Sequence, residues 1–372
     1  MHGTRGDPHW AQPTCVTTFD VAARDYCSEK IQAHEYLDSD AVLRAKVALL
    51  ASLVRRSKQL LAFTGAGIST SAGIDDYASK AKGASVTAAG RAVVKDWKLA
   101  QPTSAHRVLA AMHSAGHLKH WITQNHDSLP QKAGFPQHAL NEIHGSLHDP
   151  ANPVVPYEGT LRDDLFEWME EWQRKADLTL ALGTSLSGFN VDSVAESAAR
   201  KGGLVIVNLQ RTPYDDGCAL RLFAKIDRVM EMLAAELAIE PLVKPMDHAF
   251  EPSVPTAARV PETDGSDDVL RVPFDREGRP TTEPERMETW DLRVGRRVRL
   301  TGGTYAGDVG TIMEKSTDGS YRIRFEESVH PMFNVKRRPF SLWLGSWWLQ
   351  EAAHGHGVVP GGRMPLVNDS QK

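Results

Sequence analysis

Four short apolar segments, each followed at once by small or amide-bearing residues, constrain the fold of this chain more than any other feature. They read QLLAFT, LKHWIT, DLTLAL and LVIV, and helix-like segments lie between them. Strands this short and this uniformly apolar are typical of a parallel sheet covered on both faces. Strands that alternate with helices indicate βαβ units with right-handed crossovers. The sequence therefore predicts an α/β fold with a Rossmann-like parallel sheet.

The polar clusters that follow these strands predict a ligand site. They are Gly65-Ala66-Gly67, Gln124-Asn125, Gly183-Thr184-Ser185 and Asn208-Leu209-Gln210. In an open parallel sheet, ligands bind in the crevice outside the carboxyl ends of the strands, where N–H groups suit an anionic ligand. The glycine turn alone fits an ordinary tight turn equally well, because Thr70 occupies the place of the third fingerprint glycine. Together the four clusters favour a nucleotide site.

The remaining pattern predicts the domain organisation. A helix should begin at Asp38 or Ser39 and run through DAVLRAKVALLASLVRRS. Short alternating runs with glycine-rich turns near the C-terminus are typical of a small antiparallel barrel. The predicted segments are a loosely held extension over 1–38, a nucleotide-binding domain over 39–240, a proline-rich linker over 241–286, an all-β barrel over 287–352 and a flexible tail over 353–372.

Composition narrows the class of protein. With 41% hydrophobic residues, 24% charged residues and a net charge of -4, the chain has no global basic footprint of a nucleic-acid binder. It has no apolar run of 18 residues and no apolar signal core near its N-terminus, so we expect neither a membrane span nor secretion. Three widely spaced cysteines cannot form a four-cysteine zinc site. We therefore expect a reducing compartment, the nucleus or the cytoplasm.

Five motifs in one order carry a family resemblance. The motifs GAGISTSAGI, TQNHD, EIHGS, LGTSL and VIVNLQRT resemble those of the sirtuins, the NAD-dependent protein deacylases, over roughly residues 39–239. The segments RAKVALLASLVRRSKQLLAFTGAGIS, KAGFPQHALNEIHG and GTLRDDLFEW are most similar to the class IV branch, which includes nuclear enzymes. The resemblance implies a sirtuin-type domain that binds NAD.

The resemblance also assigns roles to individual residues. It implies that NAD lies across the strand ends and contacts Gly65, Ala66, Gly67, Asp76, Tyr77, Gln124, Asn125, Asp127, Gly183, Thr184, Ser185, Asn208, Leu209, Gln210 and Ile226. It implies catalytic roles for Asn125 and for His144. In the family, the oxygen of an acyl-lysine displaces nicotinamide, and a histidine helps to take a proton from the ribose hydroxyls. The implied partner is an acylated protein, and histones are one candidate class.

The zinc module of the family is missing. Typical sirtuins place two cysteine pairs after the catalytic histidine, whereas here 14 cysteine-free residues separate His144 from Gly159. Structural zinc can contribute roughly 10–16 kcal/mol to folding, so a full-length module without ligands would unfold, and a short bridge needs no metal. His144 and His148 have a spacing that a metal pair could use, but without a third ligand we expect a solvated His148 and no zinc.

Two further differences from the family's motifs are compatible with other functions. Ala78 replaces the arginine of the family's cofactor loop, and Asp75 adds a carboxylate near an anionic cofactor. The segment after Leu186 lacks the proline that the family uses beside its peptide substrate. One alternative is a non-catalytic protein that binds NAD or ADP-ribose and acts through its C-terminal module. Another is an enzyme that transfers ADP-ribose or hydrolyses NAD.

The C-terminal stretch VGRRVRLTGGTYAGDVGTI resembles KOW or SH3-like modules, which bind RNA or protein segments. Basic clusters and nearby aromatic residues could form such an interface. These residues are Arg296, Arg297, Arg299, Arg322, Arg324, Lys336–Arg338, Tyr305, Tyr321, Phe333, Trp343, Trp347 and Trp348. The alternative is that the aromatic residues fill the core and the arginines form a solvated face, and we favour packing for the tryptophans.

Overall fold

The computed structural model describes residues 1–18, 20–22, 30–76, 86, 94, 99–156, 159–187, 190–240, 252–260, 267–325, 341–357 and 362–369. The chain forms two compact units. The first unit comprises Met1–Asn125, Lys132–Phe135 and Phe166–Lys244. The second unit comprises His126–Gln131, Pro136–Leu165 and Pro245–Lys372. Residues 136–165, which the sequence pattern placed in the nucleotide-binding domain, therefore group with the C-terminal module.

The described elements are short, as expected for an α/β protein with a small β module. The helices are α1 (Asp40–Arg56), α2 (Ser104–Ser114), α3 (Leu129–Lys132), α4 (Asp163–Lys175), α5 (Ser193–Arg200), α6 (Ile226–Leu237) and α7 (Trp347–Ala353). The strands of the N-terminal half are β1 (Thr14–Thr17), β2 (Asp20–Ala22), β3 (Lys30–Gln32), β4 (Glu35–Leu37), β5 (Leu60–Thr64), β6 (Leu118–Thr123) and β7 (Leu140–Glu142). The later strands are β8 (Leu178–Leu182), β9 (Leu204–Val207), β10 (Leu220–Leu222), β11 (Val269–Val272), β12 (Glu288–Asp291), β13 (Arg297–Leu300), β14 (Val309–Lys315), β15 (Tyr321–Phe325), β16 (Ser341–Leu344) and β17 (Leu366–Asn368). In the described parts of the chain, none of these helices combines the length and apolar character needed to cross a membrane.

The core of the first unit is a parallel sheet. Its strands are adjacent in the order β10-β9-β8-β5-β6, and each neighbouring pair is parallel. All residues of β5, β8 and β9 are buried, which explains their uniformly apolar sequences. The predicted Rossmann-like sheet is thus confirmed.

Helix starts follow the capping chemistry that the sequence predicts. The side chain of Ser39 accepts a hydrogen bond from Val42 N at the start of α1, and Thr103 does the same for His106 N at the start of α2. These caps satisfy N–H groups that a helix itself leaves without partners. Asp38, the other candidate cap of α1, has a different role.

The N-terminal extension is not loosely held, contrary to our expectation for residues 1–38. His2 is buried, its carbonyl accepts a hydrogen bond from Arg221 N, and Thr4 N donates to Cys218 O. Strand β1 pairs with β4 in an antiparallel hairpin, and Tyr36 N donates to Leu209 O. The extension therefore packs on β10 and on the segment after β9. Weak local periodicity could not reveal this, because the contacts join residues far apart in sequence.

The second unit contains an antiparallel sheet, as the C-terminal pattern predicts. Its strands lie in the order β16-β15-β14-β13-β17, and β11 pairs with β12. Trp290, Tyr321, Phe325 and Trp348 belong to its buried core. The packing predicted for Trp347 and Trp348 is confirmed, since both are buried. Phe333 and Lys336–Arg338 lie outside the described residues.

Two segments outside the predicted barrel also join this sheet system. Strand β11 comes from the stretch predicted as a linker, and β17 comes from the stretch predicted as a flexible tail. Asn368 fixes β17 beside β12, because its Oδ1 accepts from Asp291 N at 2.7 Å and its Nδ2 donates to Asp291 O at 2.7 Å. Both strands are only three or four residues long and lie in segments with prolines and no clear periodicity, so the sequence pattern did not predict them.

A buried ion pair joins Asp38, which lies just before α1, to the second turn of that helix. Lys46 Nζ lies 2.7 Å from Asp38 Oδ1, and both side chains are fully buried. Asp38 Oδ2 also accepts a hydrogen bond from Phe223 N at 2.8 Å, which attaches α1 to the chain after β10. Burial lowers the pKa of Lys46, although the neighbouring carboxylate opposes that effect. Removing one partner of such a pair leaves a charge without compensation.

We expect Lys46→Ala to lower the free energy of unfolding by about 3–5 kcal/mol, because the Asp38 carboxylate remains buried. Arg228→Ala is the matched control, since it breaks the largely exposed pair Arg228–Asp40 and should cost at most about 1 kcal/mol. Urea unfolding followed by circular dichroism measures both. Equal losses in the two variants would contradict the structural importance of the buried pair.

Candidate functional site

The carboxyl ends of the parallel strands lie level with one another. Thr64 pairs with Thr123 on one side and with Leu182 on the other, and Leu182 pairs with Val207. Each of these residues is the last of its strand. The four clusters that follow the strands therefore emerge at one edge of the sheet, as the sequence predicts.

Hydrogen bonds join three of these clusters directly, with Thr184 in the middle. Gln124 Nε2 donates to Thr184 Oγ1 at 3.1 Å, and Asn208 Nδ2 donates to Thr184 O at 3.1 Å. Leu186 N donates to the same hydroxyl, so a local turn holds the Thr184 side chain. The side-chain amides of Gln124 and Asn208, which follow two different strands, thus bind the hydroxyl and the carbonyl of Thr184.

Asn125 is fixed against the glycine turn. Its Nδ2 donates to Gly65 O at 3.2 Å and to Ser69 Oγ at 3.1 Å. Ser69 is fully buried and was not among the predicted site residues. Its position inside the GAGIS motif was the feature of the sequence that could have identified Ser69 as a site residue. The amide orientation of Asn125 is therefore set by residues of the same strand-end region.

Close packing of two strand ends requires glycine in this turn. A Cβ on Gly65 would lie 2.9 Å from Gly183 O, and a Cβ on Gly67 would lie 2.7 Å from Gly183 Cα. Gly183 itself has a φ of +62° and would bring a Cβ within 2.6 Å of the backbone of Gly67 and Ile68. No side chain fits between these backbones, whatever ligand the crevice binds. Ala66, in the middle of the turn, begins a 3-10 turn over Ala66–Ile68.

Arg221, a buried arginine that none of the sequence motifs indicated, holds the segment after β9 in place. Arg221 is fully buried and pairs with Asp215 at 2.7 Å. It donates to Asn208 O at 3.0 Å and also to Gln210 O. Leu209 O accepts a hydrogen bond from Tyr36 N of the N-terminal extension, as described above. The predicted adenosine-side residues are thus held through their carbonyl groups, which leaves the Asn208 amide directed to Thr184.

Four predicted site residues of the first unit remain, namely Asp76, Tyr77, Ser185 and Ile226. Ile226 is the first residue of α6, which packs against the 3-10 turn Ala66–Ile68. The adjacent Asp227 accepts from Ser71 Oγ at 2.5 Å and from Ala105 N at 2.9 Å, so it ties this region to the start of α2. Asp76 is half-buried, and Tyr77 lies outside the residues that the structure describes. Ser185 follows Thr184 and is also half-buried.

Two predicted residues, Asp127 and His144, belong to the second unit. Asp127 is buried, and its Oδ1 accepts from Leu129 N at 3.0 Å, which starts α3. His144 is half-buried, and its ring centroid lies 6.4 Å from that of His126. His126 Nδ1 in turn contacts Gly145 O at 3.0 Å. The backbone around His144 is thus held by the segment that carries Asp127.

The segment after His144 is a compact loop, which agrees with a shortened connection. Ser146 N donates to Asn152 O at 2.8 Å, and Asn152 Nδ2 donates to Glu142 O at 3.0 Å. His148 was expected to be solvated, and this is wrong: its side chain is fully buried. Its Nδ1 lies 3.1 Å from Ser128 Oγ, and its ring packs on Trp347. The C-terminal module therefore covers a residue that looks polar and exposed in the sequence.

Two buried carboxyl groups flank this loop. Burial raises the pKa of Glu142 to about 8, a shift that hydrogen bonds from Gln131, Ser146 and Gln137 only partly offset. Burial likewise raises the pKa of Asp149 to about 6, against the opposing charge of Arg162. Glu142 is therefore mostly protonated at neutral pH. This is the ordinary consequence of placing a carboxyl group in a low-dielectric interior.

The model of the Sir2 family matches residues 86–152. The chain is 33% identical to the NAD-dependent protein deacetylase sirtuin-7 of Homo sapiens over 278 residues, which cover 60% of this chain and 68% of that protein. It is 31% identical to the NAD-dependent protein deacetylase SRT1 of Arabidopsis thaliana, over 56% of this chain and 53% of that protein.

Among solved structures, the chain is similar to one described as "Structure of Sir2Tm bound to a propionylated peptide". The sequence identity is 26%, and the TM-score is 0.44. The similarity covers 52% of this chain and 100% of that chain.

We expect Gly67→Ala to lower the free energy of unfolding by about 1–3 kcal/mol, because its Cβ would overlap the backbone of Gly183. Gly217→Ala is the matched control: its Cβ would lie 3.9 Å from the nearest atom, so stability should change by less than about 1 kcal/mol. Urea unfolding measures both. A Gly67→Ala variant as stable as the control would show that the two strand ends are not packed this tightly.

Glu142 should make stability depend on pH. Its pKa is raised in the folded state, so its contribution is fully present below about pH 4.5 and is lost as pH rises through about 8. Between pH 6 and pH 8, where Asp149 with its pKa of about 6 contributes a smaller part, we expect Glu142 to reduce the free energy of unfolding by about 2 kcal/mol. Glu142→Gln should remove that part of the dependence.

Urea unfolding of the wild type and Glu142→Gln at pH 6 and pH 8 tests this expectation. Glu171→Gln, which alters a half-exposed carboxyl group paired with Lys175, is the control and should keep the wild-type dependence. If Glu142→Gln also kept it, the buried carboxyl group could not be its source.

Proposed function

Since this chain belongs to the Sir2 family, we propose that it is an NAD-dependent protein-lysine deacetylase that transfers the acyl group to ADP-ribose and releases nicotinamide. The five-motif resemblance is confirmed by the family relationship. The observation that carries the proposal is its similarity to the human NAD-dependent protein deacetylase, at 33% identity across 68% of that protein. The level strand ends with their linked polar clusters support it.

The residues at the strand ends fit NAD by their chemistry. The set consists of side-chain amides, hydroxyl groups and backbone N–H groups at the carboxyl edge of a parallel sheet, which is where dinucleotides bind. Gly65, Ala66 and Gly67 would hold the phosphates, together with Gly183, Thr184 and Ser185 on the neighbouring strand. Asn208, Leu209 and Gln210 would hold the adenosine. Gln124 would hydrogen-bond the nicotinamide-side ribose, and the remaining cofactor contacts would come from Asp76, Tyr77, Asp127 and Ile226.

NAD supplies an electrophilic ribose carbon once nicotinamide leaves. In the proposed mechanism, Asn125 orients reacting groups, and its amide is already fixed by Gly65 O and Ser69 Oγ. His144 is the general base that takes the proton from the ribose hydroxyls. An imidazole suits this role because its pKa lies near the working pH, and such a base contributes on the order of 10²–10⁴-fold in rate.

The proposed substrate is a protein with an acylated lysine side chain, with histones as one candidate class. The family binds such a segment as an added strand, a form of β-augmentation. The nuclear or cytoplasmic location expected from the sequence stays a prediction. The boundaries 39–240 for the NAD-binding domain and 287–352 for the C-terminal barrel are likewise part of the proposal.

For the C-terminal module we propose a protein partner rather than RNA. Three of the arginines in the predicted basic clusters form ion pairs with acidic residues of the same unit. These pairs are Arg296–Asp291, Arg297–Asp369 and Arg322–Glu314. Paired arginines present less net positive charge to a phosphate backbone, and phosphate contacts dominate RNA affinity. Similarity to KOW or SH3-like modules stays a prediction.

The proposed function is tested by measuring nicotinamide release from NAD in the presence of acyl-lysine peptides with several acyl chains. We expect release only with acylated peptide. His144→Ala should lower kcat/KM by about 10²–10⁴-fold, since it removes the general base. Its affinity for ADP-ribose should stay within about twofold, because the histidine acts on the reaction and not on ground-state binding.

His117→Ala is the matched control, since it removes a half-buried histidine after α2 that has no proposed role, and it should keep wild-type turnover. Peptide-dependent release at the same rate in the wild type and His144→Ala would contradict the assigned base. Binding of NAD or ADP-ribose without any turnover would contradict the enzyme proposal and favour the non-catalytic alternative. NAD consumption without acyl transfer would favour ADP-ribosyl transfer or hydrolysis.

A further inference from the structure

Two histidines and a glutamate meet in the second unit, and none of them belongs to the site assigned above. His138 lies in a 3-10 turn over Gln137–Ala139, Glu351 lies on α7, and His356 follows that helix by three residues. One ring nitrogen of each histidine and one carboxylate oxygen of Glu351 all lie within 4.8 Å of one another. Glu351 and His356 are close in sequence, whereas His138 is distant from both, so only the fold brings His138 to the other two.

The distances agree with ligands around one small cation. Oε2 of Glu351 lies 3.5 Å from His138 Nδ1 and 3.2 Å from His356 Nδ1. Ligand atoms about 2.1 Å from a tetrahedral Zn²⁺ ion are separated from one another by about 3.4 Å. The two rings, with centroids 4.3 Å apart, direct nitrogen atoms to the same carboxylate oxygen. The two nitrogen–oxygen distances thus match the edges of such a tetrahedron.

Glu351, at the centre of the cluster, is held in place by contacts that do not involve the histidine rings. Its other oxygen, Oε1, accepts from Gln137 N at 3.3 Å, and the backbone carbonyl of Glu351 accepts from His356 N at 2.8 Å. Trp347 Nε1 donates to Gln137 Oε1 at 3.2 Å, which links the same turn to α7 again. Fixed outer contacts of this kind orient metal ligands before the metal binds.

Burial makes a cation at this position favourable. Glu351 is only 4% exposed, whereas the two histidine side chains are 40% and 43% exposed. A buried carboxylate is costly unless a cation or hydrogen-bond donors compensate its charge. The half-exposed histidines give an ion a route from solvent. Imidazole and carboxylate together are a ligand set suited to Zn²⁺.

We propose that His138, Glu351 and His356 bind one Zn²⁺ ion, with water in the fourth position, and that the ion fastens the turn over Gln137–Ala139 to α7. Of its ligands, His138 precedes His144 in the sequence and the other two lie in the C-terminal module, and none is a cysteine, so the site differs in place and in ligand type from the family's cysteine module. Its role is structural. It stabilises the contact between the segment leading to His144 and the C-terminal module within the second unit.

The proposal is tested on the full-length, tag-free protein after treatment with a chelator. Titration with Zn²⁺ should show one site with a Kd below about 1 µM, as expected for a structural zinc site. Co²⁺ should give the visible absorption bands of a tetrahedral or five-coordinate nitrogen-oxygen site. Zn²⁺ should also raise the urea midpoint of unfolding.

His356→Ala removes one ligand from a half-exposed position, and Glu351→Gln removes the anionic ligand but keeps an oxygen that can accept from Gln137 N. Each should weaken Zn²⁺ binding by more than about 100-fold, since even outer-shell changes cost 10–100-fold. His354→Ala is the matched control, because this neighbouring histidine bonds Gln350 O and lies outside the cluster. It should keep wild-type Zn²⁺ affinity and the cobalt spectrum.

Equal Zn²⁺ affinity in the wild type and His356→Ala would overturn the proposal, because it would place the metal at another histidine. Absence of saturable Zn²⁺ binding in the wild type would also overturn it and would identify the cluster as a proton-linked ion pair. Neither result bears on nicotinamide release, so this proposal and the proposed function fail separately.

Discussion

The close packing of two strand ends, at Gly65–Gly67 and Gly183, is the constraint on which the rest of the candidate site depends. With backbones this near, the turn after β5 lies directly against the turn after β8. The Thr184 hydroxyl is then within reach of Gln124, and the Gly65 carbonyl is within reach of Asn125. A side chain at any of the three glycines would separate the turns and remove these contacts. The polar edge of the sheet is therefore a consequence of backbone packing before it is a ligand site.

In the second unit, the short loop after His144 contacts the C-terminal module. His148 O accepts from Gly345 N at 3.0 Å, and a Cβ on Gly303 would collide with Ala151 O. The loop after His144 is thus covered by residues of the C-terminal module. Burial of this loop explains the raised pKa values of Glu142 and Asp149, and it explains why His148 is not solvated.

The sequence was sufficient for features that depend on local periodicity and on motif order. The parallel strands, the start of α1 at Ser39 and the meeting of the strand-end clusters all follow from short-range pattern together with the rule for parallel sheets. Family membership followed from five motifs in order, none of which would suffice alone. Buried Trp347 and Trp348 were also anticipated, since paired tryptophans seldom stay exposed in an apolar module.

The features that sequence reasoning missed all depend on contacts between distant residues. The N-terminal extension packs on β10, and Arg221 compensates Asp215 while binding three carbonyl groups. The cluster of His138, Glu351 and His356 has no recognisable metal spacing along the chain, because the fold alone brings His138 beside the other two. Strand β17 is too short to be distinguished from a tail by periodicity, and it is held by Asn368 through side-chain hydrogen bonds.

The most direct test of the central claim is a crystal structure of the full chain with NAD. The strand-end site predicts pyrophosphate density beside the backbone of Gly65–Gly67 and Gly183–Ser185, with the adenosine beside Asn208. NAD bound elsewhere on the chain, or side chains filling the edge of the sheet between those segments, would contradict the claim.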